Sequence, residues 1–196
     1  MALIVPDENK QINRTNHLLI IGIDQYQHHP PINNARSDAE TFRDILVERY
    51  QFEKEHVTEL LDEKATRKNI LKTIRQLANS LIERDNLLIY FSGHGTMNKR
   101  KTQGFWVPVE AEKEVDDFVA ILRILALLQD MKAHHVYLIV DACFSGSMIV
   151  KAAPEVVELL EENPSRRVLT SGRKEYVSDG PIGGHSPFLT AVEQFF

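Results

Sequence analysis

A chain of 196 residues, 43% hydrophobic and 26% charged, has the make-up of one compact globular domain and not of a disordered tail. Its 23 lysines and arginines against 28 aspartates and glutamates leave a formal charge of −5, which argues against a broad basic face and so against nucleic acid as a partner. Apolar runs such as 119–128 fall well short of the roughly 20 residues a bilayer demands, the first residues turn acidic too soon for a secretory signal, and one cysteine cannot form an internal disulfide; the expectation is a cytoplasmic protein with no membrane contact.

After an N-terminal arm (1–16), a single domain is expected over 17–196. His17 to Ile23 is a short run rich in Leu and Ile that ends at a Gly/Asp turn, so it reads as a strand buried on both faces. Tyr26 to Asn34, with Pro30-Pro31 and Asn33-Asn34, has the chemistry of a loop. Ala35, Ala39, Phe42, Ile45, Leu46 and Tyr50 then recur at helical spacing, and Val57 to Leu61 reads as a second strand. Thr66 caps a predicted helix whose stripe is Ile70, Ile74, Leu77 and Leu81.

Leu87 to Phe91 is the next strand and runs into Ser92-Gly93-His94-Gly95. A basic loop, Asn98 to Lys101, separates it from a short strand at Phe105 to Val107. Asp117 to Met131 reads as one helix carrying Phe118, Ile121, Leu122, Leu125 and Leu128. Val136 to Val140 is a further strand leading into Asp141-Ala-Cys-Phe-Ser-Gly146, Arg167 to Thr170 reads as another, and Ser186-Pro187 opens a closing helix. Strands alternating with helices imply βαβ crossovers, hence a three-layer α/β/α sandwich around a mainly parallel sheet. Ligands gather at the carboxyl ends of such strands, so Gly22 to Asp24, Ser92 to Gly95 and Asp141 to Gly146 are expected to converge on one edge.

Two residues at that edge carry nucleophilic chemistry. Cys143 follows a buried strand, and a thiol at its ordinary pKa of about 8.5 needs a nearby base to become a nucleophile. A lone cysteine is more commonly a small buried hydrophobe, and a lone histidine more commonly a solvated surface group. His94, however, occupies the corresponding place on the preceding strand, between Gly93 and Gly95, whose missing side chains are expected to let a substrate backbone approach.

Phe91-Ser-Gly-His-Gly95 together with Asp141-Ala-Cys-Phe-Ser-Gly146 resembles the catalytic pair of the caspase-like cysteine proteases, in particular the metacaspase and bacterial caspase-homologue branch. Leu19 to Asp24, Asn34 to Glu40, Ser171-Gly-Arg173 and Gly183 to Phe188 extend the likeness over about 17–196. The separation of His94 and Cys143 is close to the ~50 residues typical of caspases. The resemblance implies an endopeptidase in which Cys143 attacks the scissile carbonyl, His94 shuttles the proton, and the backbone N–H groups of Gly95 and Cys143 hold the oxyanion. It also implies an acidic S1 pocket from Asp38, Ser92 and Asp141, and therefore cleavage after Arg, then Lys, since carboxylates bind a guanidinium through directional, charge-assisted bonds. The partner is then a peptide or protein with a basic P1 residue.

Other readings stay open from sequence alone. The chain could keep the protease fold as a non-catalytic regulatory or scaffold module, or hold an anion at its Gly93-His94-Gly95 loop with Cys143 merely buried. Calcium serves many metacaspases, and Asp116 and Asp117 are the candidate ligands, but Ser147 to Val150 lacks the aspartate found after the nucleophile in calcium-dependent relatives, so no cofactor is expected. The pairs His28-His29 and His134-His135 are expected to point apart, which argues against zinc. The terminal Phe195-Phe196 implies an apolar end covered by a further domain or subunit, or a domain cut short at its C-terminus.

Overall fold

The computed structural model describes residues 14–98, 100, 103–142, 166–171 and 179–194. At its centre lie five strands, β1 (Thr15–Gly22), β2 (Val57–Leu61), β3 (Asp85–Ser92), β7 (His135–Asp141) and β8 (Arg166–Thr170), in the order β2-β1-β3-β7-β8 and all parallel. Three short strands, β4 (Gly95–Met97), β5 (Gly104–Trp106) and β6 (Val119–Ala120), form a separate antiparallel sheet.

Alternation along the strands dictates the layers. Leu19 and Ile21 of β1, with Ile89 and Phe91 of β3, face α2 (Arg67–Ser80) and α3 (Ile121–Gln129), where Ile70, Ile74, Ile124 and Leu128 complete the larger core. Leu18, Ile20, Tyr90 and Ile139 point the other way, onto Phe42 and Leu46 of α1 (Ala35–Arg49) and Leu189 and Val192 of α4 (Pro187–Glu193). The central run of β1 is therefore apolar at consecutive positions because it is covered on both sides. This is the expected α/β/α sandwich. Thr66 caps α2 by accepting from the Asn69 N–H, and Ser186 caps α4 with Pro187 in its first turn, as the residue types predict.

Two expectations need correction. The helix predicted from Asp117 begins only at Ile121. Val115–Asp117 forms a single tight turn, and Val119 and Ala120 are drawn into an antiparallel ladder opposite Trp106 and Phe105. The β-branched Val119 fits that half-buried ribbon better than a first helical turn. His134 and His135 do not diverge: a bend before β7 brings their rings edge-on, with centroids 4.3 Å apart. No helix among the described residues is long and apolar enough to cross a membrane. Phe195 and Phe196 lie outside the described residues, so the expectation of a covered apolar end is not addressed by them.

Candidate active site

Parallel register gathers the polar strand ends. Gly22 pairs with Ser92, and Ser92 with Asp141, so three segments far apart in sequence finish side by side. The Ile23 N–H donates to the Ser92 carbonyl at 3.1 Å and the Gly93 N–H to the Asp141 carbonyl at 3.3 Å, carrying the alignment just past the strands. Gly22 makes room for α1: a Cβ there would sit 2.8 Å from the Ala35 carbonyl oxygen and 2.9 Å from the Ala39 Cβ. That close approach sets the first turn of α1, with Asp38, over the strand ends.

His94 is half-buried and doubly supported. Its backbone N–H donates to the Tyr26 hydroxyl at 2.7 Å, and the Tyr26 ring lies 4.7 Å from the imidazole between centroids. Its Nε2 is 2.8 Å from the Pro30 carbonyl oxygen. A carbonyl only accepts, so Nε2 carries the hydrogen and the neutral ring keeps its lone pair on Nδ1, the form a general base requires. Gly93 has a packing role that the sequence did not disclose. A Cβ there would fall 2.7 Å from the Tyr26 hydroxyl, so the glycine makes room for the tyrosine.

The loop that brings Tyr26 and Pro30 to His94 is itself anchored. Asp62, buried and with a left-handed φ of 42°, accepts from the N–H groups of Asp24 and Gln25, while the Gln27 N–H donates to the Val109 carbonyl. Strained backbone at a buried aspartate is kept where several hydrogen bonds over-determine it.

Beside His94 lies a group of carboxylates. Asp38 is 1% exposed; its Oδ1 is 2.7 Å from His185 Nδ1 and its Oδ2 accepts from the Ser186 N–H at 3.0 Å. The Ser186 hydroxyl donates to Asp141 Oδ2 at 2.7 Å while accepting from the Leu189 N–H at the start of α4. Ser186 thus joins Asp38 to Asp141. Burial pushes the Asp141 carboxyl above the usual carboxylate range; hydrogen bonds from Ser186 and Ser171 pull it back, and the charges of Asp38 and Asp179 push it up again. Asp179 is also raised, first by burial, with the His94 charge and the Asn33 N–H opposing and Asp38 reinforcing. Ser92, 4% exposed, completes the wall between Gly22 and Asp141.

Sequence reasoning therefore named Asp38, Ser92, Asp141 and His94, which the fold brings to one edge, but missed Tyr26, Pro30, Asp179, His185 and Ser186. Asp179 is set by a clamp: the Asn34 side chain donates to the Asp179 and Pro181 carbonyls at 2.8 and 2.9 Å and accepts from the Gly183 N–H at 3.2 Å. Asn34 itself is left-handed, with φ 72°, a conformation asparagine tolerates better than most residues. Gly95 opens β4 opposite Trp106. Cys143, and with it the remaining part of the oxyanion expectation, lies outside the described residues, as does Arg173.

Among the described residues, Asp116 and Asp117 do not converge with a third acidic or histidine ligand. Asp116 lines a cavity of about 360 Å³ together with Arg67 and Arg123 over an apolar floor that includes Leu71, Phe105 and Phe118. A hard dication wants six to eight oxygen ligands, and two guanidiniums in the same cavity repel it. Among the described residues, the group of three whose ligand atoms converge within 4.8 Å is Glu53, Glu55 and His56, next to the amino end of β2 and so at the opposite edge of the sheet.

Residues 15–196 match the family described as Caspase domain. Among curated proteins, Metacaspase-3 of Arabidopsis thaliana is 30% identical over 129 residues, which is 58% of this chain and 35% of that protein. Metacaspase-1 of Plasmodium falciparum is 30% identical over 149 residues, 67% of this chain and 24% of that protein. The chain thus matches between about a quarter and about a third of the length of these relatives. A crystal structure of a Geobacter sulfurreducens protein superposes with a TM-score of 0.67 at 18% identity, covering 92% of this chain and 81% of that one, a likeness of fold alone.

Proposed function

Because the chain belongs to the caspase-domain family, we propose that it is a cysteine endopeptidase that hydrolyses peptide bonds after arginine and, second, lysine. The observation that carries this reading is the gathering of Asp141, Asp179 and Asp38 around the end of α4, next to an imidazole whose Nε2–H is engaged by a carbonyl.

In the proposed cycle Cys143 Sγ bonds to the scissile carbonyl carbon as its proton passes to His94 Nδ1. The N–H groups of Gly95 and Cys143 take the charge that develops on the oxygen. The C–N bond then breaks, the imidazolium gives its proton to the leaving amine, and a thioester remains. Water deprotonated by His94 attacks the thioester, releasing the carboxylate and restoring the thiol. The P1 cation lies against Asp141 and Asp179, with Ser92 as wall and Asp38 beneath them. The cycle uses no metal or other cofactor.

An Arg-directed, thiol-reactive peptide probe tests the proposal. Labelling of the parent, its loss in Cys143→Ala and His94→Ala, and full labelling in excess calcium chelator are the expected results. Absence of labelling with or without calcium would favour a non-catalytic scaffold or an anion-binding domain, and equal turnover of P1 Arg and P1 Asp peptides would exclude an acidic S1 pocket.

A further inference from the structure

One imidazole of the protein already stands among the carboxylates of the pocket. His185 Nδ1 is 2.7 Å from Asp38 Oδ1; the Asp38 side chain is 1% exposed and that of His185 34% exposed. The imidazole therefore separates a buried carboxylate from solvent. Its position is fixed from several directions. A Cβ on Gly180, whose φ is 78°, would run into the His185 carbonyl, Asn34 holds the segment at Asp179, Pro181 and Gly183, and the next residue, Ser186, is bonded to both Asp38 and Asp141.

We infer that His185 is a positioning residue of the S1 pocket: it holds Asp38 against the start of α4 and, when protonated, adds a positive charge that competes with the basic P1 side chain. This rests on the proposed preference for basic P1 residues. With both of its oxygens engaged by His185 and Ser186, Asp38 meets the P1 group only through its field. A protonated His185 cancels that field and leaves Asp141 and Asp179 to attract the substrate. A neutral His185 still donates from Nδ1, keeps Asp38 in place, and leaves its negative charge uncompensated.

The groups around the His185–Asp38 pair, among the described residues, are Tyr90 on β3, Asp141 on β7, Asp179 before α4, and His94 beyond Asp179. Complete burial drives the Tyr90 hydroxyl far above its ordinary range, so it remains neutral. His94 acts on the chemical step and His185 on binding, which separates their effects into kcat and KM.

The experiment measures kcat and KM of the full chain for a fluorogenic peptide with Arg at P1, between pH 5 and 9, in the parent and in His185→Gln and His185→Asn. In the parent, KM is expected to be about tenfold lower at pH 9 than at pH 5. Both variants are expected to lose that step and to keep the pH dependence of kcat. A parent KM that is flat with pH, or a step that survives at full size in both variants, overturns the inference and leaves the protease reading intact. A purely structural role would lower the melting temperature and scale activity equally at every pH, which also overturns it. No turnover of the Arg peptide and no labelling of Cys143 would overturn both.

Discussion

Tyr26 shows how much of a site is invisible to motif reading. Its hydroxyl accepts from the His94 N–H at 2.7 Å and fills the space left by Gly93, yet it stands in a loop whose sequence announces only turns. His94 was legible because it ends an apolar strand between two glycines; its support was not, because the partners come from a loop more than 60 residues away in sequence. Tyr26→Phe removes the acceptor and keeps the ring. Leaving a buried N–H without a partner costs about 1–3 kcal/mol, so the melting temperature is expected to fall by roughly 2–12 °C, and kcat on an Arg peptide, through misplacement of His94, at least about tenfold. Steady-state kinetics beside a thermal melt checks this, and unchanged kcat would remove Tyr26 from the positioning of His94.

Elements were read most reliably where pattern and end-signals agree. Val57–Leu61 and the Thr66 cap are observed as predicted, since a short run bounded by polar residues and an N-cap threonine are local signals. The start of α3 was misplaced because Phe118 extends the helical stripe of Ile121, Leu122, Leu125 and Leu128; only tertiary pairing with β5 decides the matter. α4 is short, and its amino end does two jobs through one hydroxyl. Ser186→Ala removes both the cap and the bond to Asp141. A lost cap costs about 1 kcal/mol and a lost bond to a charged group about 1.5–3 kcal/mol. For a domain of this size the melting temperature is expected to drop by roughly 5–15 °C, with a loss of Arg turnover larger than that of Thr66→Ala, whose cap lies far from the carboxylates. Calorimetry and kinetics on the two variants make the comparison.

Across the whole molecule, one end of the sheet has been made acidic at the expense of stability. Asp24, Asp141 and Asp179 all have pKa values raised, chiefly by burial. A raised folded-state value means that the native protein holds these protons more tightly than the unfolded chain does. Stability from this source is therefore present below the unfolded value, about 3.8 for Asp141, and declines as pH rises through the folded value. Asp141→Asn relieves the burial of that charge, so at pH 7 it is expected to melt at or above the parent temperature while Arg turnover falls by at least tenfold. A lower melting temperature in thermal denaturation at neutral pH would show that the charge stabilises the fold instead. The acidic edge was partly legible, since Asp141 and Asp38 lie in recognisable motifs. Asp179 was not, because its position depends on Asn34 gripping a stretch of chain 145 or more residues away.

That grip sets the order of assembly. The walls of the cavity come from segments 145 or more residues apart, and a single asparagine amide fastens them with three bonds. Until residues 179–183 reach Asn34, a chain that already holds β1 and β3 lacks the bonds that place Asp179 beside Asp38. Under the proposed cleavage after basic residues, selectivity therefore waits on a contact that closes only when segments 145 or more residues apart have met.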